Sequence, residues 1–134
     1  MINKYHYGGM AFRGARDWSG EDRRRFLTSA GHDRKTGNHT SAWWCDISGP
    51  VADGVSGVTV FCGDENFRAP QAMRLHPTMP YFVWSPMVQE GFTIEPGKPY
   101  RSRYRYLVHA GEVDAKLADA VSLDDRTPLV AVMK

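Results

Sequence analysis

The chain has 134 residues, 42% of them hydrophobic and 24% charged, with a formal net charge of +2. That length sets one domain with a small core, and that charge supplies no strong basic field to draw the chain onto nucleic acid or anionic lipid. No apolar run approaches the roughly 20 residues of a membrane helix, and the opening Met-Ile-Asn-Lys-Tyr-His-Tyr lacks the apolar stretch of a signal peptide, so the expected location is the cytoplasm.

Glycines and prolines divide the chain into short segments. Strands are predicted over residues 7–13, 25–30, 41–47, 55–62, 72–76, 81–84, 91–95 and 100–109. Polar loops separate them at 31–38 and 63–66, and Pro96-Gly97 marks a tight turn. A single helix is predicted over 112–121, with Val113, Leu117 and Val121 on one side and Glu112 and Asp114 at its positive end. Residues 128–133 are read as an edge strand or a tail. Many short strands with turn signals between them specify an all-β fold, an antiparallel β-sandwich with one short C-terminal helix. Gly8, Gly9 and Gly57 fall inside strand patterns, where glycine marks a bulge or a close approach of sheets. Cys45 and Cys62 sit in strands as buried free thiols, because two cysteines demand no disulfide framework.

The segment 100–109 alternates strictly. Tyr100, Ser102, Tyr104, Tyr106 and Val108 fall on one side; Arg101, Arg103, Arg105, Leu107 and His109 fall on the other. The first side suits a core. The second presents guanidinium groups that bind a carboxylate, a phosphate or sugar hydroxyls, or pair with acids across the sheet. In Trp43-Trp44-Cys45-Asp46, the same alternation puts Trp44 beside Asp46, an aromatic platform next to a carboxylate, which suits a sugar. His32, Arg34 and His39 lie in a turn-rich loop, the kind of segment that carries working residues on a rigid sandwich. Arg68 and Arg74 are further candidates for an anionic or hydroxylated ligand, with pairing to a nearby acid as the alternative for Arg68. No motif for a phosphate loop, a serine hydrolase or a metal site is present.

Six segments carry a family resemblance: Tyr7-Gly-Gly-Met-Ala-Phe-Arg13, Trp44-Cys-Asp-Ile-Ser-Gly49, Gly57-Val-Thr-Val-Phe61, Asn66-Phe-Arg-Ala-Pro70, Glu95-Pro-Gly97 and Arg103-Tyr-Arg-Tyr-Leu-Val-His-Ala-Gly111. In order and spacing they resemble the C-terminal half of the soluble bacterial PmoA-like family, also catalogued as methane oxygenase PmoA. The resemblance implies half of a mutarotase-like supersandwich, with residues 1–134 as one β-sandwich domain of a larger family domain. It also implies a carbohydrate-associated role.

The expected function is therefore binding of a sugar or sugar acid on a polar sheet face. The ligand-binding residues are Trp44, Arg103, Arg105, His39, Arg68 and Arg74. If the protein is an enzyme, the chemistry is acid–base, with His109 or His32 as acid, Asp46 as base and no cofactor or metal. The expected partner is a small-molecule carbohydrate, with neither nucleic acid nor membrane. One alternative is a non-catalytic assembly module that pairs through exposed sheet edges with a second copy or another chain. The other is a metal-dependent oxygenase, which only the family's name suggests.

Overall fold

Residues 1–127 are described by a computed structural model, and the segment 128–133 lies outside the described residues. Two antiparallel sheets and one C-terminal helix make up the fold. Strands β1 (Met10–Arg13), β6 (Tyr81–Trp84) and β5 (Met73–Leu75) form a three-stranded sheet in the order β1-β6-β5. Strands β2 (Arg25–Thr28), β3 (Trp44–Val51), β4 (Gly54–Cys62) and β7 (Tyr104–Ala110) form a four-stranded sheet in that order. Helix α1 covers Ala115–Arg126. The all-β sandwich with one short C-terminal helix is as the sequence predicts.

The β3–β4 hairpin is the spine. Its ladder runs from Trp44↔Phe61 to Val51↔Gly54, leaving Ala52 and Asp53 as a two-residue turn. Pro50 is tolerated in β3 because β2 pairs only with Cys45–Ser48, so no neighbour on that side needs its missing N–H. Alternation sends Cys45, Ile47, Val60 and Cys62 inward, with Phe26 from β2. They meet Met73, Leu75, Phe82 and Trp84 of the three-stranded sheet. Strand β6 crosses the larger sheet: Phe82 packs edge-on against Phe26 of β2, and Trp84 stacks on Tyr104 of β7. On the opposite side of the hairpin, Trp44 and Phe61 pack against Ala118 of α1.

Several boundaries differ from the sequence expectation. Strand β1 starts at Met10, because Gly9 passes so close to the neighbouring strand that a Cβ there would lie 1.9 Å from the Trp84 carbonyl oxygen. Residues 91–95 form no strand; Phe92 makes only an isolated bridge to Ile2. Strand β7 begins at Tyr104, so Arg101 and Arg103 precede it, and Asn66 holds this approach by accepting from Arg103 N and donating to Arg103 O. Helix α1 starts three residues later than predicted. Asp114 is its N-cap, accepting from the N–H groups of Lys116 and Leu117. That rotates the buried stripe to Ala118 and Ser122 and leaves Leu117 exposed. No helix among the described residues is long and apolar enough to cross a membrane.

Cys45 and Cys62 are free and buried, and burial raises the pKa of both thiols. Neither thiol should react with a disulfide reagent such as DTNB in native buffer, and both should react after unfolding in guanidinium. Fast labelling of either one in the native state would contradict this packing.

Candidate functional site

The sheet face expected to bind sugar exists, but it is roofed. Three rows cross the outer side of the four-stranded sheet: Trp44–Phe61–Arg105, Asp46–Thr59–Leu107 and Ser48–Gly57–His109. Alternation thus does bring Trp44, Asp46, Arg105 and His109 to one face. Helix α1 lies on it. Trp44 is 1% exposed, and its indole Nε1 donates to Asp119 Oδ1 at 2.8 Å. Arg105 pairs with Asp125 of the same helix at 2.5 Å. The indole therefore offers no open stacking face.

Asp46, 1% exposed, accepts from Thr59 Oγ1 through Oδ2, and the same oxygen lies 2.8 Å from His109 Nε2. Burial raises the Asp46 pKa; hydrogen bonds from His109 and Thr59 oppose the rise. His109 reaches Asp46 by lying over Gly57, where a Cβ would meet the ring at 2.5 Å. This network ties β3 to β7 across β4, and His109 Nδ1 is itself buried without a partner among the described residues. Such a pair fixes strand register and closes the expected base, Asp46, to a ligand, while the His109 side chain stays 17% exposed.

Other expected residues are scattered. Arg68 donates to the carbonyls of Pro86 and Glu90 at 2.6 Å and pairs with Glu90, pinning the 86–91 loop. Its guanidinium also lies over the Phe67 and Phe92 rings. His32 closes the turn after β2, where its carbonyl accepts from Thr28 N. Arg103 is exposed just before β7. Arg34 pairs with Glu21. Asp33 folds back on its own loop, accepting from the N–H groups of Lys35 and Thr36, which lowers its pKa.

His39 and Arg74 do come together, on the outer face of the three-stranded sheet. Arg74 projects outward from β5, between Met73 and Leu75 of the core. Its Nη1 donates to Asn38 Oδ1 at 2.9 Å, and its Nε is buried with no partner among the described residues. Next to Asn38, His39 holds a left-handed backbone with φ of 65°, fixed by its N–H donating to the Met73 carbonyl. The His39 ring lies 6.3 Å from that of His6, whose ring is tilted 57° against Tyr7 at 4.4 Å. Tyr7 in turn approaches Tyr81 of β6 at 6.1 Å. The Arg13 guanidinium sits 5.2 Å over the Tyr81 ring, and His76 closes the row 6.3 Å from it.

The electrostatics of this cluster are one-sided. His39 has a lowered pKa, first from partial burial and then from Arg74, His6 and Lys4. His76 is lowered by burial, then by Arg74, Arg13 and Arg24. Arg74, His6 and Lys4 around His39, and Arg74, Arg13 and Arg24 around His76, all disfavour the protonated imidazoles. His76 Nδ1 accepts from the N–H groups of Thr78 and Met79, which fixes the tautomer with the proton on Nε2. Tyr81 is raised by burial and Tyr7, with Arg13 opposing. The arrangement provides cationic anchors (Arg13, Arg74), a neutral imidazole able to take a proton (His39), a fixed N–H donor (His76) and phenol rings. His6, Tyr7, Arg13 and Tyr81 were missed in the sequence because they lie on three separate segments; only sheet pairing assembles them. No three His, Cys, Asp or Glu side chains among the described residues are grouped to hold a metal ion.

A model of a family of unknown function, DUF6807, matches residues 1–122. No curated protein and no solved structure matches the chain.

Two outcomes follow from this geometry. Gly57→Ala should destabilise the fold by about 1–3 kcal/mol, the usual cost of overpacking, because its methyl would strike His109 and Ser48; urea denaturation would read it. The second concerns acid. The neutral forms of His39 and His76 are favoured by folding, so their contribution is full above the ordinary value of 6.5 and is lost as pH falls below it. Lowering the pH from about 7.5 to about 5.5 should therefore lower stability, and His39→Gln/His76→Gln should flatten that slope. Equal slopes in both proteins would refute the assignment.

Proposed function

Since the chain belongs to that family, whose function is not established, we propose from its own side chains that it binds a carboxylated carbohydrate on the outer face of the three-stranded sheet. One observation carries this reading: Arg74 lies beside His39 and His76, Arg13 sits over the Tyr81 ring next to His76, and among the described residues neither arginine forms an ion pair with Asp or Glu. Half-buried Arg74 and exposed Arg13, with no carboxylate partner among the described residues, favour an anion, and arginine's planar fork matches a carboxylate in particular. The Tyr7 and Tyr81 rings supply the apolar surface that a pyranose face stacks on. His76 donates to a hydroxyl. His39, whose protonated form is disfavoured, accepts a proton where acid–base chemistry takes place, the base role that the sequence alone suggests for Asp46. The PmoA-like resemblance supports the same carbohydrate class, and two free thiols fit a reducing cytoplasm.

Calorimetry with glucuronate, galacturonate and glucose tests it. A uronate should bind more tightly than glucose, and Arg13→Ala or Arg74→Lys should weaken it about tenfold or more, the loss expected of one charge-assisted hydrogen bond. Trp44→Phe, under α1, should leave the affinity unchanged. Absence of uronate binding, or binding indifferent to both arginines, would defeat the proposal.

A further inference from the structure

Strand β7 is the outer strand of the four-stranded sheet and, among the described residues, pairs only with β4. An unpaired edge offers a row of N–H and C=O groups to another strand, and folded proteins blunt such edges with proline, lysine, bulges or inward charge. Strand β7 has none of these. Its sequence, Tyr-Arg-Tyr-Leu-Val-His-Ala, contains no proline or lysine, and its register against β4 runs without a bulge from Tyr104 to Ala110. Its arginine, Arg105, is held by Asp125 of α1.

The inner side of this edge is also bare. Tyr106 and Val108 lie on the same side as Val60 and Val58, which face the core, yet they are 49% and 70% exposed. The three-stranded sheet reaches β7 through Trp84 on Tyr104 and through Met10, whose sulfur accepts from the Tyr106 hydroxyl. Val108 lies past that cover.

We propose that β7 is an interface with a second copy of this chain, the two β7 strands pairing antiparallel about Leu107. The strand is complementary to itself in that register. On the inner side, Tyr106 of each copy meets Val108 of the other, an aromatic against a β-branched residue, which is a favourable cross-strand pair. On the outer side, Arg105 meets His109. Arg105 is already neutralised by Asp125, and His109 is bonded to Asp46, so no free like charges oppose. A two-fold contact of this kind uses the same strand from both copies and closes at a dimer, joining two four-stranded sheets into one.

Size-exclusion chromatography with light scattering over a micromolar concentration series tests it. The wild type should run at twice the 15.1 kDa of one chain. Val108→Lys places a charge on an exposed position and should give a monomer with unchanged circular dichroism. In the Tyr106→Cys/Val108→Cys variant, mild oxidation should link two copies covalently, since Cys45 and Cys62 are buried. A wild-type monomer, a dimer that survives Val108→Lys, or open-ended aggregates in place of a closed pair would each overturn the proposal.

Discussion

From Trp44 to Ser48 and from Thr59 to Cys62 the β3–β4 hairpin is buried on both sides, away from its exposed tip at residues 51–55, and most of the structure answers to that constraint. One face meets the three-stranded sheet through Cys45, Ile47, Val60 and Cys62; the other meets α1 through Trp44 and Phe61. An antiparallel sheet commonly keeps one face wet. Along that buried stretch neither stays wet, so its polar groups depend on partners within the protein, and Asp46 Oδ1 has none among the described residues. Asp46 illustrates the demand. Its carboxyl is buried, and Thr59 and His109 converge on it from the next two strands. Gly57 is glycine because the histidine must lie flat across β4 to make that contact.

The same constraint separates structural polar groups from available ones. On the outer face of the larger sheet Trp44 pairs with Asp119, Arg105 with Asp125, and Asp46 Oδ2 with both Thr59 and His109, leaving Asp46 Oδ1 and His109 Nδ1 without partners among the described residues. The outer face of the smaller sheet has no helix over it. There, Arg13, Arg74, His39 and His76 are held by the Tyr81 ring, the Asn38 side chain and backbone groups, without carboxylate partners among the described residues. Fixed donors and cations without internal counter-charge are what a preorganised anion site requires.

Much of the fold was legible in the sequence because period-two alternation survives in the strands that matter. Tyr104, Tyr106 and Val108 do face one way, and Arg105, Leu107 and His109 the other. Alternation also correctly joined Trp44 to Asp46. It does not report whether something covers a face. The covering helix was visible as a pattern, but where it would dock was not, and so a roofed network read as an open surface. The converse failure has a related cause. His6, Tyr7, Arg13, His39, Arg74, His76 and Tyr81 come from segments separated by up to dozens of residues, and apart from Arg74 and His76, which alternation puts on one face, no local spacing marks them as neighbours. The left-handed backbone of His39 has no signature in its own sequence either; it follows from the pairing of its N–H with Met73 on β5.

Helix α1 holds the sheet with little apolar material. Ala118 is its one fully buried hydrophobic side chain, joined by half-buried Ala115 and Val121. Its polar anchors, Asp119, Asp125 and the Arg126 guanidinium over Trp43, lie in its later turns. Small side chains contribute little transfer free energy, so apolar burial holds this helix to the sheet only weakly and local opening of it is favoured over opening of the hairpin. Its excursions from the sheet would wet an otherwise dry indole and hydrate the Asp46 carboxyl. Amide exchange in residues 115–126 should accordingly run ahead of exchange in the hairpin beneath, with the tryptophan ring reporting each opening as a change of emission.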